Sequence, residues 1–298
     1  MRYNSGVEQV HHIVAPPFAS KMRLEDYLLG HFATVSKMYL REQVKLGRCE
    51  VNGRHENIGY RLRPQDFIEI IVDDERGTAM RREAIELDIL HEDHDLIVVV
   101  KPAGMLMHPS HREQSGTLLN GLAHHLNQDA TTAERPGLPH RLDKQTSGIV
   151  VVAKNARAHR IISSQFLKKQ VTKRYLALVD GIVEQSEGVI EAPIGRYDEL
   201  KHWSVKSDGK HATTNYWRRN AGILPARADR KFTLLELEPV TGRTNQLRIH
   251  CEHIGHPIVG DLSRGGIEHT RLCLHAFKLG LRHPTTGEQM EFVREVEF

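Results

Sequence analysis

Apolar residues recur along this chain in two rhythms. From Arg23 to Phe32 they stand at helical spacing, as Leu24, Tyr27, Leu28 and Phe32. Ser36 reads as the N-cap of a second helix with Leu40 and Val44 on its inner face, and Gly47 stops it. Extended segments follow at Arg48–Asn52, before the turn pair Asn52-Gly53, and at Phe67–Val72, after the turn Pro64-Gln65-Asp66. This predicts a small α/β module over 21–74, preceded by a loosely held extension over 1–20 and followed by a polar linker over 75–85.

Beyond the linker the rhythm is that of strands. Apolar, β-branched or alternating runs predict strands at Leu96–Val100, Ile149–Val152, Lys173–Val179, Ala212–Trp217, Phe232–Glu238 and Leu272–Leu279. The run Ile149–Val152 has no polar face and reads as buried on both sides. Helices are expected from a Ser115 cap to Leu126, after an Asn155 cap, and over Asn245–Ile254 up to Gly255. Residues 218–230 read as a basic hairpin loop. Runs of strands with interspersed helices predict an α+β domain over 86–298, with a mixed, largely antiparallel sheet and flanking helices.

Composition narrows the class. The chain is 39% apolar and 27% charged, an ordinary globular balance. No apolar run approaches the ~20 residues that cross a bilayer, and the first residues lack a signal-peptide core. Cys49, Cys251 and Cys273 are far apart and form no C-x-x-C pair, which fits the cytoplasm. The net charge of +3 does not by itself imply nucleic acid, but the charge is segregated. Lys37, Arg41, Lys45 and Arg48 recur every three or four residues along one face of the second helix and its exit. Such a face either holds phosphates or is simply solvated.

Three segments are chemically loaded. Asp143 is the one acid in Pro139–Lys154, between Arg141 and Lys144. Cations beside a carboxylate favour its ionised form, so it is read either as a nucleophile or base, or as an acid that caps a turn and pairs with arginine. Tyr175 offers a π face for stacking or a strand aromatic for the core. Arg248 has apolar neighbours and needs a carboxylate partner, either Asp143 or another acid. His250, His253 and His256 are spaced by three, but His256 lies beyond Gly255 and no H-E-x-x-H occurs. A metal site is therefore not expected, and those histidines are assigned to packing and backbone hydrogen bonds. Neither G-x-x-x-x-G-K-[ST] nor G-x-G-x-x-G is present, which argues against an ATP or NAD enzyme.

Taken together, these segments resemble the RluA-type pseudouridine synthases. The matching stretches are K-P-A-G-M-L-M-H-P (Lys101–Pro109), H-R-L-D-K-Q-T-S-G (His140–Gly148), K-R-Y-L-A-L-V-D-G (Lys173–Gly181), T-G-R-T-N-Q-L-R-I-H (Thr241–His250), G-H-P-I-V-G-D (Gly255–Asp261) and L-H-A (Leu274–Ala276). The first module resembles the small RNA-binding domain of ribosomal small-subunit protein four. The resemblance implies Asp143 as the catalytic aspartate, Tyr175 as the tyrosine that stacks on the target base, and Arg248 as the arginine that pairs with the aspartate. It implies RNA contacts for Arg141, Lys101, His108 and Arg243, with Lys37, Arg41 and Lys45 contributing from the first module. The family usually has His where Asn245 stands, and L-S-R-G-G after Asp261 lacks an aromatic often found there.

Such an enzyme cleaves the bond from ribose to uracil nitrogen, turns the base and rejoins it through carbon 5, so no cofactor and no metal are expected. The implied substrate is structured RNA, ribosomal and of the large subunit. The alternatives are a tRNA-directed synthase, a non-catalytic RNA-binding or ribosome-assembly protein, and a histidine-ligated metal hydrolase.

Overall fold

The computed structural model describes residues 8–32, 35, 37–73, 82–110, 113–127, 136–197, 202–224 and 227–298, without the side chains of 223, 224 and 227–229. The chain divides into two units, Met1–Met80 and Arg81–Phe298.

In the first unit, β1 (Gln9–Val14), β2 (Cys49–Val51), β3 (Arg54–His55) and β4 (Phe67–Val72) form an antiparallel sheet in the order β1-β4-β2-β3. Helices α1 (Leu24–His31) and α2 (Lys37–Lys45) supply Leu24, Leu28 and Leu40 to a core shared with Ile68 and Ile70. Asn52 and Gly53 both take positive φ, as the Asn-Gly turn requires. The expected extension over 1–20 is corrected: all six residues of β1 pair with β4, and Ile13 is buried. Without β1, the outer edge of β4 would be unpaired. The Ser36 cap and most of the linker, 74–81, lie outside the described residues.

The second unit is built on one large sheet. Its strands are β5 (Asp88–Glu92), β6 (Leu96–Lys101), β7 (Ser147–Ala153), β8 (Thr172–Asp180), β9 (Glu187–Glu191), β12 (Thr213–Leu224), β13 (Arg227–Pro239), β14 (Leu274–Arg282) and β15 (Gln289–Val293). The order is β5-β6-β7-β14-β8-β13-β12-β9, with β15 also on β14. Neighbours are antiparallel except β7 and β14. A separate hairpin joins β10 (Ile194–Tyr197) to β11 (His202–Val205). The helices are α3 (Leu118–His125), α4 (Ala156–Leu167) and α5 (Gln246–His253). No described helix is long and apolar enough to cross a membrane.

Every residue of β7 is buried, as its apolar run predicts. Two expected boundaries move. The first cap of the domain is Thr117, not Ser115, because Thr117 and Asn120 close a reciprocal capping box. The loop expected over 218–230 is mostly ladder, since β12 runs on to 224 and β13 begins at 227.

Gly148 fixes how β7 meets β14. Its φ is +126°, and a Cβ there would stand 2.4 Å from the Ala276 carbonyl oxygen. Both the backbone conformation and the close approach demand glycine. Gly148→Ala is expected to cost about 2–3 kcal/mol and to lower the thermal midpoint. An unchanged melting curve would contradict this account of the β7–β14 pairing.

Candidate active site

Four adjacent strands, β7, β14, β8 and β13, bring the loaded segments together around one cleft. Ser147 at the start of β7 pairs with His275 on β14, and Ala276 pairs with Tyr175 on β8. Tyr175 in turn faces Leu237, near the end of β13. β7 begins only at the row of His275 and Leu176, so the loop before it, which carries Asp143, and the loop after β13, which leads into α5 and Arg248, both reach the cleft beside Tyr175. Between them is a cleft of about 300 Å³, lined among others by Arg141, Asp143, Tyr175, Arg243, Asn245 and Arg248.

Asp143 is exposed, and its carboxylate makes no hydrogen bond or ion pair to any described residue. Lys144, the expected neighbouring cation, points its ammonium elsewhere and bonds Glu113 at 2.6 and 2.8 Å. The Asp143 carbonyl accepts from Thr146 at 3.1 Å, closing a turn. Arg141 is also exposed and without a described partner. An uncommitted carboxylate in an arginine-walled cleft can act as a nucleophile or as a base.

Tyr175 is half-buried. Burial, and then the Asp143 charge, hold its hydroxyl above the ordinary tyrosine range, so the phenol stays protonated at neutral pH.

The expected pair between Arg248 and Asp143 is corrected. Arg248 grips Asp261 with two bonds, Nε to Oδ2 at 2.6 Å and Nη2 to Oδ1 at 2.7 Å. Nη2 also donates to Ser263 at 3.0 Å, and Nη1 to the Asn245 side-chain oxygen at 3.2 Å. The reason is burial: the Asp261 side chain is 1% exposed, and a carboxylate so placed requires a cation. Burial alone would raise the Asp261 pKa, but bonds from Arg248 and Ser263, with the charges of Arg248 and Arg264, hold it below the ordinary aspartate value. Bonds to Asp261 likewise raise Arg248, against burial, and the Asp143 charge adds to this. Four of the five guanidinium hydrogens are committed, which leaves one, on Nη1, for the cleft. Asn245 takes a left-handed conformation, φ 55°, at the head of α5, which asparagine tolerates.

Two further residues hold the cleft and were not singled out by sequence. Gln246, 4% exposed, donates to the Thr213 carbonyl and the Thr214 hydroxyl and accepts from the Arg243 amide and the Thr241 hydroxyl. His140 stacks on Phe166 with centroids 4.5 Å apart, and its Nε2 accepts from the Val151 amide. Burial, aided by the Lys173 charge, lowers its pKa to about 3, so it stays neutral. Both are polar residues inside the motif stretches His140–Gly148 and Thr241–His250, the one signal sequence offered.

Lys101, assigned above to RNA contact, is corrected: it is fully buried. Its ammonium donates to the carbonyls of Pro102, Met105 and Lys144, at 2.9, 2.9 and 3.2 Å. It ties the turn after β6 to the Asp143 loop. Burial lowers its pKa to about 8, with the Asp143 charge pulling the other way. Lys101→Met strands three carbonyls and is expected to cost about 2–3 kcal/mol in urea unfolding; a neutral effect would show that the tether is dispensable. His108 is exposed and lies outside the lining of the cleft, whereas Arg243 is part of it. In the first unit, Lys37 and Arg41 both pair with Glu25.

The helix histidine His250 bonds the Thr214 hydroxyl and the Ala192 carbonyl, as expected. No cluster of metal-ligating side chains occurs among the described residues.

Comparison with known proteins shows the family. The family described as RNA pseudouridylate synthase matches residues 95–253. The chain is 38% identical over 276 residues to the uncharacterized RNA pseudouridine synthase YlyB of Bacillus subtilis, covering 91% of this chain and 89% of that one. It is 35% identical over 294 residues to ribosomal large subunit pseudouridine synthase D of Pseudomonas aeruginosa, covering 91% and 87%. Among solved structures, human RNA pseudouridylate synthase domain containing 1 matches with a TM-score of 0.59 and 30% identity, over 72% of this chain and 85% of that chain. The α+β sheet, the matched span and these relatives together mean that the chain belongs to the RNA pseudouridylate synthase family.

Proposed function

We propose that this isomerase converts specific uridines to pseudouridine in large-subunit ribosomal RNA, in the cytoplasm, with Asp143 as the reacting carboxylate. The observation that carries the reading is an exposed carboxylate with no committed partner, in a cleft walled by Tyr175 and three arginines. The name of the Pseudomonas aeruginosa relative supports the choice of RNA.

The uridine leaves its stack to reach the cleft and lies against the Tyr175 ring. Asp143 either attacks ribose carbon 1′ or removes a ribose proton. In both routes the bond from carbon 1′ to the base nitrogen breaks, the base turns, and carbon 5 bonds to carbon 1′, as the ester between carbon 1′ and Asp143 breaks in the first route and the ribose proton is returned in the second. The hydrogen on carbon 5 leaves as a proton, and the freed nitrogen takes one up. Arg248, held by Asp261, keeps a fixed positive charge beside Asp143. Arg141 and Arg243 hold RNA phosphates at the rim.

The test is tritium release from cellular RNA labelled at uracil carbon 5, with chelator present. Release accompanied by pseudouridine supports the assignment; no release from any cellular RNA overturns it.

The first unit is read as an RNA-binding domain like that of ribosomal small-subunit protein four. Because Lys37 and Arg41 are shared with Glu25, Lys45 carries the sharpest expectation on the α2 face. Lys45→Ala is expected to reduce the slope of log affinity against log salt by about 0.7–0.9, the value for one neutralised phosphate. An unchanged slope would return Lys45 to a solvated helix face.

A further inference from the structure

A second cavity, of about 380 Å³, lies beside the cleft. Its walls are the β10–β11 hairpin, the turn at 206–210 that follows it, and the loop after β13. The two cavities share Gly242, Arg243 and Thr244. We propose that the second cavity is a nucleotide subsite for the residue next to the flipped uridine, taking its phosphate and its base from the same RNA strand. The proposal rests on the synthase reading of the first cleft.

The charge of the cavity selects an anion. Among the described residues, Arg196, Lys206, Lys210 and Arg243 line it against a single carboxylate, Asp208. Lys206 is divided between Asp208 at 3.1 Å and the face of Tyr197 at 5.4 Å. Arg243 is anchored by one bond, Nε to the His211 carbonyl at 3.0 Å, which leaves its other donors for a phosphate.

The indole of Trp203 selects a base as well. It lines the same cavity and packs against Ile194, Ala212 and Ile249. An aromatic anchored in a basic pocket is a stacking platform, and an inorganic anion has no use for it.

The cavity is fixed by its backbone. Ile194 and Lys210 exchange two hydrogen bonds of 2.9 Å, and the Trp203 carbonyl accepts from Arg264 at 2.8 Å. A Cβ on Gly209 would stand 2.6 Å from the Ile194 carbonyl carbon, so the turn is closed tightly. The ridge shared with the cleft is low at Gly242, where an added Cβ would meet nothing within 4 Å. A strand with one base in the cleft can cross there.

Trp203 reports on its own occupancy. The chain has two tryptophans, and in Trp217→Phe the fluorescence comes from Trp203 alone. If that variant fails to fold, the difference between the wild type and Trp203→Phe gives the same signal. Pentauridylate is expected to quench it, while uridine 5′-monophosphate and inorganic phosphate at equal concentration leave it unchanged. Arg196→Ala with Lys210→Ala is expected to weaken pentauridylate binding at least tenfold and to lower its salt slope by about 0.7 for each phosphate no longer neutralised. Equal quenching by the mononucleotide or by phosphate would overturn the strand subsite in favour of a free-ligand site. Absence of quenching by pentauridylate, or unchanged affinity in the double variant, would overturn it outright. Tritium release by the wild type separates the two readings. Release without quenching removes the subsite alone; quenching without release from any cellular RNA removes the synthase reading.

Discussion

Replacing Asp143 with asparagine is expected to lower tritium release from labelled RNA by ~10³-fold or more, while the protein folds and binds RNA as before. The substitution keeps the shape of the side chain and removes its charge and basicity. No hydrogen bond or ion pair of the described fold depends on that charge, because Asp143 is exposed and its carboxylate bonds no described residue. Its melting temperature should therefore stay within about 1–2 °C of the wild type. Separate measurements of turnover, RNA affinity and thermal unfolding make the expectation sharp. Robust turnover by the variant would refute the proposed role. A large drop in melting temperature would mean that Asp143 is a structural acid, the turn-capping reading that its local sequence also allows.

Much of the site was legible because its residues sit in short motifs with fixed order. The run Ile149–Val152 placed a doubly buried strand, and the motif Gly148 proved to be the point where β7 and β14 touch. Strands β5, β9 and β15 were not legible, because each lies at the edge of the ladder and exposes most of its residues. β5 and β9 lack the apolar alternation that marks a half-buried strand, and β15 carries it at only two positions, Met290 and Phe292. β1 was missed for a related reason: only Ile13 in it is buried.

The partner of Arg248 was illegible for a different reason. Arg248 and Asp261 are separated by the end of α5 and the Gly255–Asp261 turn, and only the folded return of that turn brings them together. Sequence offered Asp143 or any other acid and no way to measure which was buried. Lys101 shows the same limit. A lysine at a strand end is normally solvated, and three converging carbonyls from two loops are invisible in the sequence.

Asp261→Asn is the counterpart of the Asp143 substitution, the same chemical change at a buried site. Asp261 holds Arg248 through two bonds and lies 4.0 Å from the Arg264 Nε, and Arg264 is itself 3% exposed. Removing the carboxylate charge leaves the Arg248 guanidinium without its carboxylate, while Arg264 keeps Glu252. Loss of one partner from such a buried arrangement costs about 3–5 kcal/mol, which for a unit of this size lowers the melting temperature by roughly 6–20 °C. The pH dependence has a definite sign. The folded-state pKa of Asp261 lies below its unfolded value, so its contribution is complete above the ordinary aspartate pKa and is lost as pH falls through the folded value. The stability gap between wild type and Asp261→Asn should be full at pH 7 and should shrink below about pH 4. Urea unfolding of both proteins across that range measures it. Turnover assayed well below the variant's melting temperature should also fall, because Arg248 is no longer held beside Asp143. A gap that stays constant down the acid range would show that the Asp261 charge does not stabilise the fold, and full turnover would show that Arg248 needs no such support.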